Sequence, residues 1–234
     1  MKKFLFVIVI LLACFITLVA FTTNSLTTTE TVVLRDVTDT LLSAPQADEI
    51  FPRYDLTENK WNGAIFRFVD LSEVSFNRVT ELNLATANEW LSNEPEREKQ
   101  IRNFKNNMAE ILSRKETIGR THSSVYLPVA RELNRLSQNK SDKKILLIYS
   151  DLMENTPEIS FYAPQTFRLL QSNPDSVKKL FEKMQTLHPL SGIEVHFIFQ
   201  PKDITQDTEF KIVSEFYRRM LEEKGAQVFI SANL

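Results

Sequence analysis

Residues Asp36-Val37-Thr38-Asp39-Thr40 set a carboxylate and two hydroxyls at a spacing of two, directly after the β-branched run Thr31-Val32-Val33-Leu34. Oxygen donors of this kind suit a hard cation such as Mg²⁺, which takes carboxylates, hydroxyls and waters in octahedral geometry. A buried strand gives way to a loop here, so the donors fall at a strand's carboxyl end. Asp and Thr are also common turn and cap residues. The competing reading makes Thr38 and Thr40 caps of the helix after the strand, with Asp36 a turn residue. A cation would need further donors from elsewhere in the chain. The candidates are Thr121, after a loop containing Gly119, and Asp151, which follows the apolar run Ile145 to Tyr149 almost directly.

Such residues need a scaffold that ends several strands at one place. The strand Thr31 to Arg35 leads into a short helix and loop over Leu41 to Asp55, where Pro45 and Pro52 limit the helix. Gly63 opens a strand through Val69, and the half-polar run Arg78 to Leu84 suits an edge strand paired with it. Asn93, followed by Glu94, Pro95, Glu96 and Glu98, starts an amphipathic helix with Ile101, Phe104, Met108, Ile111 and Leu112 inside. Gly119-Arg120-Thr121-His122 breaks it. Ser123 or Ser124 is expected to cap the next helix, whose buried face is Val125, Val129, Leu133 and Leu136.

Ile145 to Tyr149 is the central strand. Leu152 to Ser172 reads as a long loop with one short helix, and Glu154, Phe161 and Tyr162 read as an irregular solvated rim. Asn173-Pro174-Asp175 caps a helix with Val177, Leu180, Phe181, Met184 and Leu187 inside. Gly192 precedes the strand Ile193 to Phe199. The last helix buries Phe210, Val213, Phe216, Tyr217, Met220 and Leu221 and stops at Gly225, leaving Gln227 to Ser231 as the final strand. This alternation predicts one α/β domain, a three-layer α/β/α sandwich on a mostly parallel sheet with one antiparallel edge strand. Ligand sites in such folds lie at the carboxyl ends of strands, where Asp36 and Asp151 both fall.

Composition narrows the function classes. A net charge of −2 leaves no basic excess to neutralise nucleic-acid phosphates. With only four glycines, no glycine-rich phosphate loop can be read. The single cysteine, Cys14, excludes an internal disulfide framework and a cysteine-based zinc site. His122, His188 and His196 stand apart without metal-ligand spacing and read as structural or surface residues.

The amino terminus has its own logic. Met1-Lys2-Lys3 precedes an apolar run from Phe4 to Phe21 interrupted only by Thr17. As a helix this run spans about 27 Å, close to the hydrocarbon thickness of a bilayer. The preceding lysines keep the amino terminus in the cytoplasm and export the rest. The expected organisation is a cytoplasmic 1–3, a transmembrane signal anchor 4–21, a linker 22–30 and a domain 31–234, periplasmic or extracellular. Two alternatives stay open, and both also export the domain. Leu11-Leu12-Ala13-Cys14 resembles a lipobox that would lipidate Cys14, although Phe15 to Phe21 stays apolar where mature lipoproteins turn polar. A cleaved signal peptide would need a better small-residue site than Ala20-Phe21-Thr22.

Asp36-x-Thr38-x-Thr40, Thr121 after a glycine-containing loop, and Asp151 after the next hydrophobic strand together resemble a von Willebrand factor type A domain with its metal-ion-dependent adhesion site. That family uses D-x-[ST]-x-[ST], a distant Thr and a distant Asp, at separations similar to the 85 and 30 residues between positions 36, 121 and 151. The resemblance covers Thr31 to Leu234. It implies that Thr38 and Thr40 offer hydroxyls directly to Mg²⁺, or to Mn²⁺ or Ca²⁺. Asp36 and Asp151 would hold coordinated waters and balance charge, and Thr121 would bind directly or through water. It also implies an open position for an Asp or Glu carboxylate of a partner protein, in a role that is not enzymatic. The chain departs from the pattern in three ways: Thr replaces the common Ser, Leu152 stands where Gly is common, and Glu154 adds a negative charge.

Two other functions compete. D-x-T-x-T also matches the aspartate loop of haloacid-dehalogenase-like phosphotransferases. There Asp36 would be the nucleophile, Ser150-Asp151-x-x-x-Asn155 the metal loop, and Lys140, Lys143 or Lys144 the charge-stabilising lysine. The other is a metal-free structural module of the type A kind.

Overall fold

The computed structural model describes residues 25–38, 41–71, 78–114 and 123–234. The apolar run Phe4 to Phe21, with Cys14, and the site candidates Thr40 and Thr121 lie outside them, as does His122. Among the described residues no helix is long and apolar enough to cross a membrane.

Strand β1 (Thr28–Asp36) is followed by α1 (Ala47–Ile50), which runs into a 3₁₀ turn at Phe51–Tyr54, and then by β2 (Gly63–Leu71) and β3 (Val79–Leu84). Helices α2 (Glu94–Ser113) and α3 (Tyr126–Gln138) lead to β4 (Lys143–Tyr149). The chain continues through α4 (Pro164–Ser172), α5 (Pro174–Met184), β5 (Ile193–Ile198), α6 (Ile204–Glu222) and β6 (Gln227–Ser231). The six-stranded sheet has the order β3-β2-β1-β4-β5-β6. All pairs are parallel except β2 with β3, so the half-polar run read as an edge strand is one.

Strand residues alternate between two apolar cores, one on each face of the sheet. Val32 and Leu34 of β1 and Leu146 and Ile148 of β4 join residues of α3, α4, α5 and α6 in one. Val33, Ile145, Leu147 and Tyr149 face the other, with α1, the 3₁₀ turn and α2. The central strands are apolar because both of their faces are covered.

Strand β1 starts three residues earlier than the apolar run suggests, and Thr28 and Glu30 of its polar opening are tied to neighbouring elements. The Thr28 amide donates to Asp142 Oδ2 at 2.7 Å, and the Asp142 amide donates back to the Thr28 carbonyl at 2.9 Å. Glu30 is fully buried and pairs with Arg135 of α3 at 2.5 Å. Helix α2 has the expected Asn93 cap, whose side chain accepts the Glu96 amide. Helix α6 buries all six expected apolar residues and ends near Gly225 at φ +97°. Leu180, expected inside, is exposed.

Neither Ser123 nor Ser124 caps α3. Its cap residue is Val125, which offers no side-chain oxygen. Glu154 serves instead, Oε2 accepting the amides of Val125 at 2.9 Å and Tyr126 at 2.7 Å. A carboxylate at a helix amino terminus satisfies orphan amides and complements the helix dipole.

Candidate functional site

The chain builds β1, β2 and β3 outward to one side and returns to place β4 on the other side of β1. The strand order therefore reverses between β1 and β4, and in open α/β sheets the crevice beyond the carboxyl ends at such a reversal is where ligands bind. Asp36 closes β1 there. Ser150 and Asp151 follow β4 at the same end, since Arg35 stands opposite Tyr149.

Asp36 is only 3% exposed, and four donors meet its carboxylate. Oδ1 accepts the Thr38 amide at 2.9 Å and the Thr38 hydroxyl at 2.6 Å. Oδ2 accepts the Ser150 hydroxyl at 2.9 Å and the Ser123 hydroxyl at 3.3 Å. A carboxylate offers about four lone-pair sites, so the buried charge is fully hydrogen-bonded. Asp36 thereby joins the ends of β1 and β4 to the entry of α3.

The loop after β4 turns by two successive side-chain bonds to backbone. The Ser150 hydroxyl accepts the Leu152 amide at 2.9 Å, and Asp151 Oδ1 accepts the Met153 amide at 2.9 Å. Leu152 adopts φ +63°, a conformation for which glycine is the usual residue, and its side chain is fully buried in the core. Asp151 is half-buried, and its Oδ2 lies 3.4 Å from the Tyr162 hydroxyl.

Glu154 corrects the solvated-rim reading. It is fully buried, as is Phe161 at 1% exposure; only Tyr162, at 54%, faces water. Burial pushes the Glu154 carboxyl up to about 7, against the Val125 and Tyr126 amides that favour its ionised form, and the nearby Asp36 charge raises it further. Among the described residues its second oxygen, Oε1, has no hydrogen-bond partner.

Of the described residues of the expected set, Thr38 bonds to Asp36, while Asp151 follows Ser150, which bonds to Asp36, and turns its own carboxylate to the Met153 amide and the Tyr162 hydroxyl. Thr38 does not cap a helix, because α1 begins only at Ala47 with Gln46 as its cap residue. Ser123 and Ser150 enter the cluster as hydroxyls that the motif did not include. The signal for Ser150 was a polar residue ending a wholly apolar strand; Ser123 carried none beyond its proximity to Thr121.

The donor set fits a hard cation. It consists of oxygens, and each hydroxyl that gives its hydrogen to Asp36 keeps lone pairs for another partner. Asp36 itself has its acceptor sites filled by protein donors, so in this arrangement it orients hydroxyls rather than waters. Among the described residues no three His, Cys, Asp or Glu side chains group to hold a metal, so a cation here would rest on hydroxyls and the Asp151 carboxylate, with Asp36 behind them.

The lysines of the phosphotransferase reading lie elsewhere. Lys143 and Lys144 open β4 opposite Thr29 and Glu30, so they sit at the other end of the sheet from Asp36, roughly 20 Å away along the strands. His196 is buried in β5 and stacks on Phe229 with ring centres 4.8 Å apart, a packing role. The chain matches no family model, and no curated protein is significantly similar to it.

Proposed function

We propose that this chain is a membrane-anchored, extracytoplasmic module of the von Willebrand factor type A kind, which binds a partner protein through a divalent cation, Mg²⁺ above all. The observation that carries this reading is the meeting of Asp36, Thr38, Ser123 and Ser150, with Asp151 adjacent, at the strand-order reversal. The antiparallel edge strand and the two helix-covered sheet faces are features that the three-layer type A architecture shares.

In this reading Thr38, Thr40, Thr121 and Asp151 hold the ion. Asp36 neutralises it and polarises the hydroxyls that donate to it, in the way outer-shell groups tune ligands. When bound, the cation supplies an electrophilic position for an Asp or Glu carboxylate of the partner. Thr38 is half-buried, so the position it would offer is not sealed from solvent.

Calorimetric titration of the purified protein with Mg²⁺ and Mn²⁺ tests this. Heat of binding is expected for the parent and is expected to be lost in Thr38→Val, which keeps side-chain shape, and in Asp151→Ala. No heat in a folded parent would sink the cation reading and leave the metal-free module. Turnover of a generic phosphate ester, abolished by Asp36→Asn, would instead favour the phosphotransferase.

A further inference from the structure

Trp90 and Leu91 are 91% and 86% exposed, the two most exposed large apolar side chains among the described residues. They sit on the 85–93 loop between β3 and α2. That loop leaves the sheet at its amino end, because Leu84 stands opposite Ala64, which stands opposite Thr29 at the start of β1. The cation site lies at the other end.

The loop is held by fixed bonds. Arg97, 3% exposed, donates to the carbonyls of Ala85 at 2.9 Å, Lys60 at 2.7 Å and Asn62 at 2.5 Å. The Ala87 amide donates to the Trp61 carbonyl at 3.0 Å. Asn88 closes the tip, its side chain accepting the Trp90 amide at 2.9 Å and its carbonyl the Leu91 amide at 3.2 Å. An ordered loop thus displays two adjacent large apolar side chains to water, a marker of an interaction surface.

The place where the chain enters the domain identifies the occupant. Asn62 Oδ1 accepts the Thr27 amide at 3.1 Å, while the Asn62 carbonyl is bound by Arg97. One residue therefore links the entry of the chain to the base of the Trp90 loop. The apolar run ends at Phe21, six residues before Thr27, a reach of about 20 Å when extended. Any bilayer holding that run lies within this distance of Thr27, which Asn62 ties to the base of the loop. Tryptophan suits the layer between hydrocarbon and headgroups, where its ring is buried and its N–H hydrated. Glu89 and Glu94 flank the loop and Lys60 pairs with Glu94, so no net positive charge gathers here and the contact fits a zwitterionic interface rather than attraction to anionic headgroups.

We propose that Trp90 and Leu91 insert into the interfacial layer of the bilayer that carries the 4–21 anchor, holding the domain with its Asp36 end turned away from the membrane. This rests on the anchor reading, and the test separates the two. The full chain is reconstituted into phosphatidylcholine vesicles, floated on a density gradient, and its tryptophan emission is quenched with lipids brominated on the upper acyl chain. Trp61, the other tryptophan, is 8% exposed, so Trp90→Phe isolates the contribution of Trp90.

The expected result is flotation, with a blue-shifted emission that brominated lipid quenches and aqueous iodide does not, and loss of that quenching in Trp90→Phe. Flotation with Trp90 open to iodide and indifferent to bromine overturns the insertion and leaves the anchor standing. Flotation with Trp90 shielded from both quenchers overturns it in favour of a contact with a second copy of this chain. Failure to float overturns anchor and insertion together.

Discussion

Leu152 takes the positive φ at which a β-carbon crowds the backbone, and burial of its side chain offsets the strain. The usual order of small substitutions should therefore invert here. Leu152→Ala loses the buried side chain and keeps the strain; Leu152→Gly loses the side chain and releases it. Both should be destabilised by about 2–4 kcal/mol, with the glycine variant more stable than the alanine one by about 1 kcal/mol in denaturant unfolding. The opposite order would place Leu152 in an ordinary backbone conformation. Glu154 makes a second prediction at this scale. Its folded value of about 7 lies above its ordinary 4.5, so its contribution to stability is fully present below pH 4.5 and lost as pH rises through about 7. The loss amounts to about 3 kcal/mol. Glu154→Gln stays neutral throughout and should flatten this slope, measured as urea midpoints between pH 4.5 and 8; an unchanged slope would assign it to other groups. The position of Asp36, Thr38 and Asp151 at one end of the sheet was legible in the chain because strand ends are local signals. The role of Glu154 was not, because the amides it caps lie 28 and 29 residues away, and nothing local distinguishes a capping carboxylate from a solvated one.

At the scale of elements, β1, β4 and α6 were readable because their apolar periods match their burial, and β3 because its polar alternation marks an edge. The early start of β1 was not readable, since Thr28, Thr29 and Glu30 are polar, and Thr28 and Glu30 find their partners in α3 and the loop before β4. Arg135 of α3 bonds to Glu30 and also to Glu132, Nε to Oε2 at 2.8 Å. Glu132 in turn takes Arg67 of β2 in a two-pronged contact at 2.9 and 3.1 Å, and Arg67 reaches Glu81 of β3 at 3.0 Å. This chain of charges ties α3 to three strands where the apolar core gives out. Glu132 is 7% exposed, so Glu132→Ala leaves Arg67 half-buried without its main partner. The expected cost is about 3 kcal/mol in thermal or denaturant unfolding. Replacing Arg67 and Glu132 together by Met and Leu should recover much of it, since paired buried charges often exchange for apolar residues at little loss. A double variant as unstable as the single one would show that the network does more than satisfy its own charges.

For the whole molecule, the two ends of the sheet differ. The chain enters at the amino ends of the strands, beside Trp90 and Leu91. Asp36, Thr38, Ser150 and Asp151 gather at the carboxyl ends, about 30 Å further along the nine residues of β1. That polarity follows from the parallel sheet itself: every strand but β3 runs from the end where the chain enters toward the end where the cluster lies. A partner carrying an Asp or Glu would meet a site presented away from the bilayer. The claim on which this account turns is the cation, and Mn²⁺ titration followed by electron paramagnetic resonance tests it most directly. A saturable signal from bound Mn²⁺ is expected, displaced by Mg²⁺ and lost in Thr38→Val and Asp151→Ala variants that remain folded. Mn²⁺ that stays free in solution, or binds equally to both folded variants, would contradict it.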